Sequence, residues 1–310
     1  MRIGKTACID LGSNSCRLRI ADENGDVICK DSKQTKLGEG LFETGLLSKA
    51  AIERGLEALS EYASLIKKNN VQKYRAVATA ACRTAKNGKE FARLVKLKTG
   101  LDLEIVDTLE EARLNLRGAM LNAPKDKEYV VVYDLGGAST EITLAQNNAA
   151  ATILRTISIP WGVRNAAEAY DLKEYKKENA LRLEKDIKAL VCEFAKKADL
   201  EKYKKDCCLI ATSSTPLRLC SMLKEDGFYT REKNDGACVA CKDIDKIVCA
   251  VENMSLDQRE KSAYIGQDRA PIFVAACVIF KAIYDVLGFD EFIVSFKSAQ
   301  DAMLEELKNG

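Results

Sequence analysis

The chain reads as an α/β protein of two similar domains, each a mixed sheet flanked by helices, and three observations lead there. The segments 5–20 and 129–144 repeat one pattern 124 residues apart: Asp10-Leu11-Gly12-x-x-Ser15-x-x-Leu18 against Asp134-Leu135-Gly136-x-x-Ser139-x-x-Ile142. A repeat at that interval marks duplication of a domain and not a solenoid. A length of 310 residues is enough for two cores. After each repeat, β-prone runs alternate with amphipathic helical patterns, as in an open sheet with parallel strands. The domains are expected at 1–124, joined by the C-terminal helix 298–310, and at 125–297.

Composition narrows the chemistry. The 48 Lys and Arg nearly balance the 46 Asp and Glu, so no global field argues for nucleic acid. Histidine is absent, which excludes Ser-His-Asp and Cys-His nucleophile systems and His-ligated metals. A general base must then be a carboxylate, Lys, Tyr or Cys. The N-terminus has no apolar signal region and no 18-residue apolar span is evident, so neither a secretion signal nor a membrane helix is expected. The expectation is a soluble cytoplasmic protein whose 12 cysteines are mostly reduced. Cys8, Cys16 and Cys277 sit in apolar patterns and act as small hydrophobes. Cys238 and Cys241 have a zinc-like spacing, but the four ligands of a structural site are not evident.

The first element pair, within 5–20, is a strand, a Gly-Ser-Asn-Ser turn and a second strand, followed by a turn at Asn24-Gly25 and a strand at 27–29. A hairpin register places Arg17 opposite Asp10, so this hairpin can neutralise itself; Asp10 and Arg17 read equally well as a structural ion pair. Ser48 caps a helix with Ile52, Leu56, Leu59, Ala63 and Ile66 at helical spacing. The strand 74–79 delivers Arg83 to its C-terminal end, where open α/β sheets gather ligands. There Arg83 suits an anionic substrate or is a solvated loop residue. The strand 103–106 opens into Thr108-Leu109-Glu110-Glu111. That is a capping box with Thr108 at the N-cap and Glu111 at N3, yet the same position lets Glu111 meet a phosphate-bound water.

The second hairpin pairs Asp134 with Glu141 when Gly137-Ala138 forms the turn. Two carboxylates with Cβ atoms about 5 Å apart repel unless one is protonated or a cation lies between them. With exposed turn amides beside them they suit a phosphate chain with Mg²⁺, a hard ion usually held by one or two carboxylates plus phosphate. The metal therefore falls chiefly to this hairpin; a plain Gly-Gly turn is the alternative. A strand at 151–157, Pro160-Trp161-Gly162, and a long helix with Leu183, Ile187, Leu190, Val191, Phe194 and Ala198 on one face come next. A strand at 208–211 then leads to a helix capped by Ser213 or Ser214, with Pro216 in its first turn. Helices at 243–254 and 270–287, a strand at 292–296 and a helix at 298–308 close the chain.

Assembled, the motifs DLGSNSCRL (10–18), ATAACR (78–83), EEARL (110–114) and VYDLGGASTEI (132–142) resemble those of the exopolyphosphatase and guanosine pentaphosphate phosphohydrolase family, Ppx/GppA, in order and spacing. The resemblance implies two ribonuclease-H-like domains of the actin-like ATPase superfamily around a central cleft. It implies that Glu111 is the general base and that Asp134 and Glu141, with Asp10, hold Mg²⁺ or help activate water. Ser13, Asn14, Ser15, Arg17, Gly136, Gly137, Ala138 and Ser139 would cradle phosphates, with Arg83 clamping the chain. The expected activity is exopolyphosphatase, acting on polyphosphate, with guanosine pentaphosphate or a non-hydrolysing sensor as alternatives. No nucleic-acid or membrane partner is expected, and a homodimer is plausible by resemblance. Two stretches depart from the family pattern: its G-x-G-G-T is Ala211-Thr212-Ser213-Ser214-Thr215, and its terminal motif is residues 295–302.

Overall fold

A computed structural model describes residues 4–309, with only the backbone of Phe42. The chain forms two compact units, one of residues through Gly118 together with those from Ser298, the other of Ala119–Lys297.

In the first unit β1 (Thr6–Leu11), β2 (Ser15–Ala21) and β3 (Val27–Gln34) form an antiparallel meander, and β4 (Lys73–Ala78) and β5 (Leu103–Ile105) extend the sheet in parallel from the other side of β1. The order is β3-β2-β1-β4-β5. The second unit repeats this plan with β6 (Tyr129–Leu135), β7 (Thr140–Gln146) and β8 (Ile153–Ile159) as the meander. Here β9 (Cys207–Thr212) and β11 (Glu291–Ser295) are the parallel strands, with β10 (Cys238–Ala240) added antiparallel to β11. The order β8-β7-β6-β9-β11 reproduces that of the first sheet. The repeat seen in two hairpins thus extends to both whole sheets.

The central strands are covered on both faces, which is why they read as nearly continuous apolar runs. β9, Cys-Cys-Leu-Ile-Ala-Thr, is buried at all six positions, whereas the edge strand β3 is exposed or half-exposed along its length. Alternation in β1 sends Ala7, Ile9 and Leu11 to one face, against Leu59, Tyr62 and Phe91. Cys8, and with it Asp10, faces the other way, toward Leu114 and the C-terminal helix residues Ala302 and Met303.

The helix Lys49–Lys68 is capped by Ser48, whose hydroxyl accepts from the Ala51 amide at 3.2 Å. Its buried stripe is Ala51, Gly55, Ala58, Leu59, Tyr62 and Ile66, rotated from the one expected, and Ile52, Leu56 and Ala63 lie at its margin. Gly55 lets this helix pack closely on the helix Gly88–Thr99, whose Phe91 lies only 3.0 Å from where a Cβ would stand. One expectation fails outright. Residues Ala270–Leu287 do form an 18-residue span apolar enough to cross a membrane, with mean hydropathy 1.9. Most of it is buried against the second unit's own sheet and helices, with Phe273, Ile279, Phe280 and Ile283 inside, so its apolarity serves a helix apolar all round.

Candidate active site

The predicted residues form two constellations, one in each unit. In the first, Gly12 N–H donates to the Ser15 carbonyl at 2.9 Å and closes the β1–β2 turn. The turn's carbonyls are taken by the segment after β3: Asn14 O accepts from the Thr35 and Lys36 amides, and Ser13 O from the Gly38 amide at 2.8 Å. The Ser13 and Asn14 amides have no acceptor among the described residues. With the acceptors consumed, the turn presents donors outward, as an anion site requires.

Asp10 does stand opposite Arg17 in the ladder, and the two form an ion pair, though a long one. The nearest approach, Arg17 Nη1 to Asp10 Oδ2, is 3.8 Å, and the Arg17 side chain is 56% exposed; such a pair contributes little. Burial pushes the Asp10 carboxyl above its ordinary range; Arg17 opposes it more than Glu111 adds to it, and Arg19 opposes it least. Asp134 behaves the same way. It is open to solvent along one side, yet the protein packed around it raises its carboxyl, with Glu141 adding and the Thr212 hydroxyl opposing. The contrast that assigned the cation chiefly to the second hairpin is therefore weaker than the pairing pattern suggests.

Glu111 is not part of a capping box. The cap is Asp107, one residue earlier than expected, whose Oδ1 accepts from the Glu110 amide at 2.7 Å. Glu110, now at N3, turns to Arg113 and Arg75. Arg113 foremost holds its carboxyl down at about 2. Glu111 is thereby released to the other side of the helix Thr108–Met120, where its Oε2 accepts from Arg83 Nη1 at 2.8 Å. The same nitrogen donates to the Val106 carbonyl at 3.0 Å, so Arg83 is a fixed strut between two strand ends. Glu111 and Asp10 both line a cavity of about 230 Å³ with Gly12, Thr79 and Asn115. Thr79 and Asn115 escaped sequence reasoning. Asn115 follows Glu111 by four residues and so shares its helix face, a signal that could have found it.

In the second unit Asp134 stands opposite Glu141 and beside Thr212 of β9. Gly136 N–H donates to Ser139 O at 3.0 Å, which makes Gly137-Ala138 the tip. Helix Val163–Ala169 begins on this turn: Val163 N–H reaches Gly136 O at 2.9 Å, Arg164 N–H reaches Gly137 O at 2.8 Å, and Asn165 Nδ2 reaches Ala138 O at 2.9 Å. The Gly137, Ala138 and Ser139 amides find no acceptor among the described residues. Gly162 permits this docking, since a Cβ there would lie 2.5 Å from the Ala138 nitrogen. Glu141 Oε1 accepts from Ser139 at 2.6 Å and from Ser158 at 3.1 Å, which fixes the carboxylate and leaves Oε2 open. Two carboxylates beside unpartnered amides fit a hard divalent ion completed by phosphate oxygens.

Among the described residues no three His, Cys, Asp or Glu side chains converge as a metal set. Cys238 is exposed, and the buried Cys241 gives its thiol to the Phe289 carbonyl at 3.2 Å. The expected cap by Ser213 is also absent. Ser213 makes no capping bond, its φ is +86°, and its buried hydroxyl lacks a partner.

A duplicated meander-plus-parallel sheet with an aspartate hairpin in each copy places the chain in the actin-like ATPase fold class. More closely, it belongs to the Ppx/GppA phosphatase family, whose model matches residues 18–307. A bifunctional 3-dehydroquinate synthase/phosphatase of Fusobacterium nucleatum is 29% identical over 321 aligned positions, covering 98% of this chain and 46% of the relative. Exopolyphosphatase 2 of Mycobacterium tuberculosis is 34% identical over 164 positions, 49% of this chain and 51% of the relative. The chain thus spans about half the length of these curated relatives. The crystal structure of the type II variant of the Aquifex aeolicus Ppx/GppA phosphatase superposes with a TM-score of 0.85 at 27% identity, covering 98% of this chain and 99% of that one.

Proposed function

We propose that the protein hydrolyses terminal phosphoanhydride bonds, with inorganic polyphosphate as its substrate class and guanosine pentaphosphate as the in-family alternative. The observation that carries this reading is the release of Glu111 from helix capping into a cavity it shares with Asp10, with Arg83 holding it by a 2.8 Å hydrogen bond. A carboxylate positioned by a cation in a cavity can take a proton from water. In the proposed step water attacks the terminal phosphorus and the bridging P–O bond breaks. One proton of the water passes to the Glu111 carboxylate, and orthophosphate leaves from the shortened chain.

Phosphoryl transfer of this kind depends on positioning and on donors for the non-bridging oxygens. In the unit that carries Glu111 the unpartnered amides of residues 13–14 would be such donors, and in the other unit the amides of 137–139 would serve a phosphate beside Asp134 and Glu141 in the same way. Asp134 and Glu141 would hold Mg²⁺, which would neutralise phosphate charge at that turn. Membership of the Ppx/GppA family supports the reading.

Phosphate release from polyphosphates of graded length and from guanosine pentaphosphate, with and without Mg²⁺, tests it. Glu111→Gln should lower kcat by roughly 10²–10⁴-fold with its fold retained; undiminished turnover would return Glu111 to a structural role. Binding without release by the wild type would leave a sensor instead of an enzyme. For the metal, Asp134→Asn should raise the Mg²⁺ concentration for half-maximal activity by at least about tenfold. An unchanged Mg²⁺ titration would move the ion elsewhere.

A further inference from the structure

The turn between β1 and β2 is aligned from outside, and the hydrogen bonds that align it lead back to one side chain. Arg54 stands on the helix Lys49–Lys68. Its Nε donates to the Thr35 carbonyl at 2.7 Å, and its Nη2 donates to the Lys36 carbonyl at 3.3 Å and to Glu39 Oε2 at 2.9 Å. The same short segment holds the turn through its amides. Thr35 and Lys36 N–H each reach the Asn14 carbonyl at 3.0 Å, and Gly38 N–H reaches the Ser13 carbonyl at 2.8 Å. Helix, segment and turn are thus joined by two consecutive layers of hydrogen bonds.

The segment needs such a pin. Lys36 has φ +45°, a left-handed conformation that sterics disfavour for a residue with a Cβ. Thr35 is buried, so loss of the Arg54 donor would leave its carbonyl short of a partner away from water. Leu37, also buried, packs beside Gly55, its Cδ1 3.5 Å from where a Cβ would stand, which seats the segment next to Arg54. On the other side Gly38 presses on the turn, where an added Cβ would lie 3.2 Å from the Ser13 Cβ. The Ser13 carbonyl and the Asn14 N–H belong to one planar trans peptide and point in opposite directions. The Gly38 bond that fixes the carbonyl therefore aims the donor. In the second unit the corresponding carbonyls are taken directly by the start of the helix Val163–Ala169.

We propose that Arg54 is a positioning residue for the first turn: by holding the carbonyls of residues 35 and 36 it fixes the peptide planes of Ser13 and Asn14, and so sets how strongly their amides hold a phosphoryl group. The inference rests on the reading of that turn as a phosphate site. Arg54 itself does not touch the phosphate; its guanidinium fork serves two backbone carbonyls at once, which a single-headed donor cannot do with the same geometry.

Amide resonances report on each turn separately and need no turnover. Inorganic phosphate is titrated in EDTA into isotope-labelled wild type, Arg54→Ala, Arg54→Met and Glu39→Gln, following Ser13 and Asn14 in one unit and Gly137 and Ala138 in the other. In Arg54→Ala the midpoint at Ser13 and Asn14 should rise roughly tenfold, as loss of an outer partner of a binding group does. The midpoint at Gly137 and Ala138 should stay within about twofold, because a different helix holds that turn. Arg54→Met keeps the packing of the stem and removes the donors, so it should show the same rise and carries the comparison if Arg54→Ala does not fold. Glu39→Gln leaves both carbonyl contacts in place and should change neither midpoint by more than about twofold; a tenfold rise there would give the role to the ion pair and overturn the inference. Unchanged midpoints at Ser13 and Asn14 in the Arg54 variants overturn it while leaving the hydrolase reading as it stands. A rise at both turns together also overturns it, by making Arg54 a residue of general stability. A wild type whose Ser13 and Asn14 resonances ignore phosphate removes the phosphate reading of the turn, and the inference with it.

Discussion

Single residues decide how the two turns present their amides. Gly162 lets a helix start against the tip of the second hairpin, consuming its carbonyls, while the first hairpin is served by residues 35–38 instead. The same outcome reached by different segments is invisible in the motif, because the donors lie outside it. Ser213 shows the opposite case. It occupies a conformation of φ +86° and ψ 178°, a region essentially reserved for glycine and costing about 1–3 kcal/mol for other residues. The absence of glycine in 211–215 was plain from the sequence; that one of these residues still adopts the glycine conformation was not. Ser213→Gly should therefore stabilise the protein by about 1 kcal/mol, the strain relief exceeding the added entropy of the unfolded chain. The check is the urea midpoint at constant slope. A destabilised variant would mean that the Ser213 side chain makes a contact stronger than its strain.

At the scale of elements, periodicity found most strands and the longest helices, most with ends displaced by one or two residues, but β3 runs five residues past the expected 27–29, and the helix Gly88–Thr99 and the strand β10 were not anticipated. Ser48 caps its helix as expected, but the reading failed at the start of the helix Thr108–Met120. Asp107 and Thr108 are adjacent, both are good N-caps, and each has a glutamate three residues on. Spacing cannot choose between them. The choice follows from partners on other elements: Arg75 on β4 draws Glu110, and Arg83 beyond β4 draws Glu111. Asp107→Ala should cost about 1 kcal/mol, whereas Thr108→Ala should stay within about 0.5 kcal/mol, as read from paired denaturation curves. The reverse order would restore the capping box and remove Glu111 from the cavity.

Across the whole molecule, the C-terminal helix Ala299–Asn309 completes the first unit, nearly two hundred residues after the rest of it. It buries Ala302, Met303 and Leu304 against Cys8, Val77 and Leu114. Glu306 meets Arg75 and Arg113, and Glu305 meets Arg117. Asp301 also meets Arg19, so deletion of residues 298–310 would bare that face of the sheet and leave four arginines, Arg19, Arg75, Arg113 and Arg117, each short of a partner. Hydrogen exchange should then show β1 and β4 losing protection while β6 and β9 keep theirs; equal protection in both units would show the first unit folds without its last helix. By itself the sequence determined the duplication, the two hairpins and the aspartate opposite each partner, because strand period and turn length are local properties. Only the tertiary structure decided which residue caps the helix that carries Glu111, that Arg83 rather than the helix start holds the Glu111 carboxylate, and that Arg17 approaches Asp10 no closer than 3.8 Å. Each of those outcomes is a competition between charges and donors carried on different elements, and sequence spacing holds no record of who wins it.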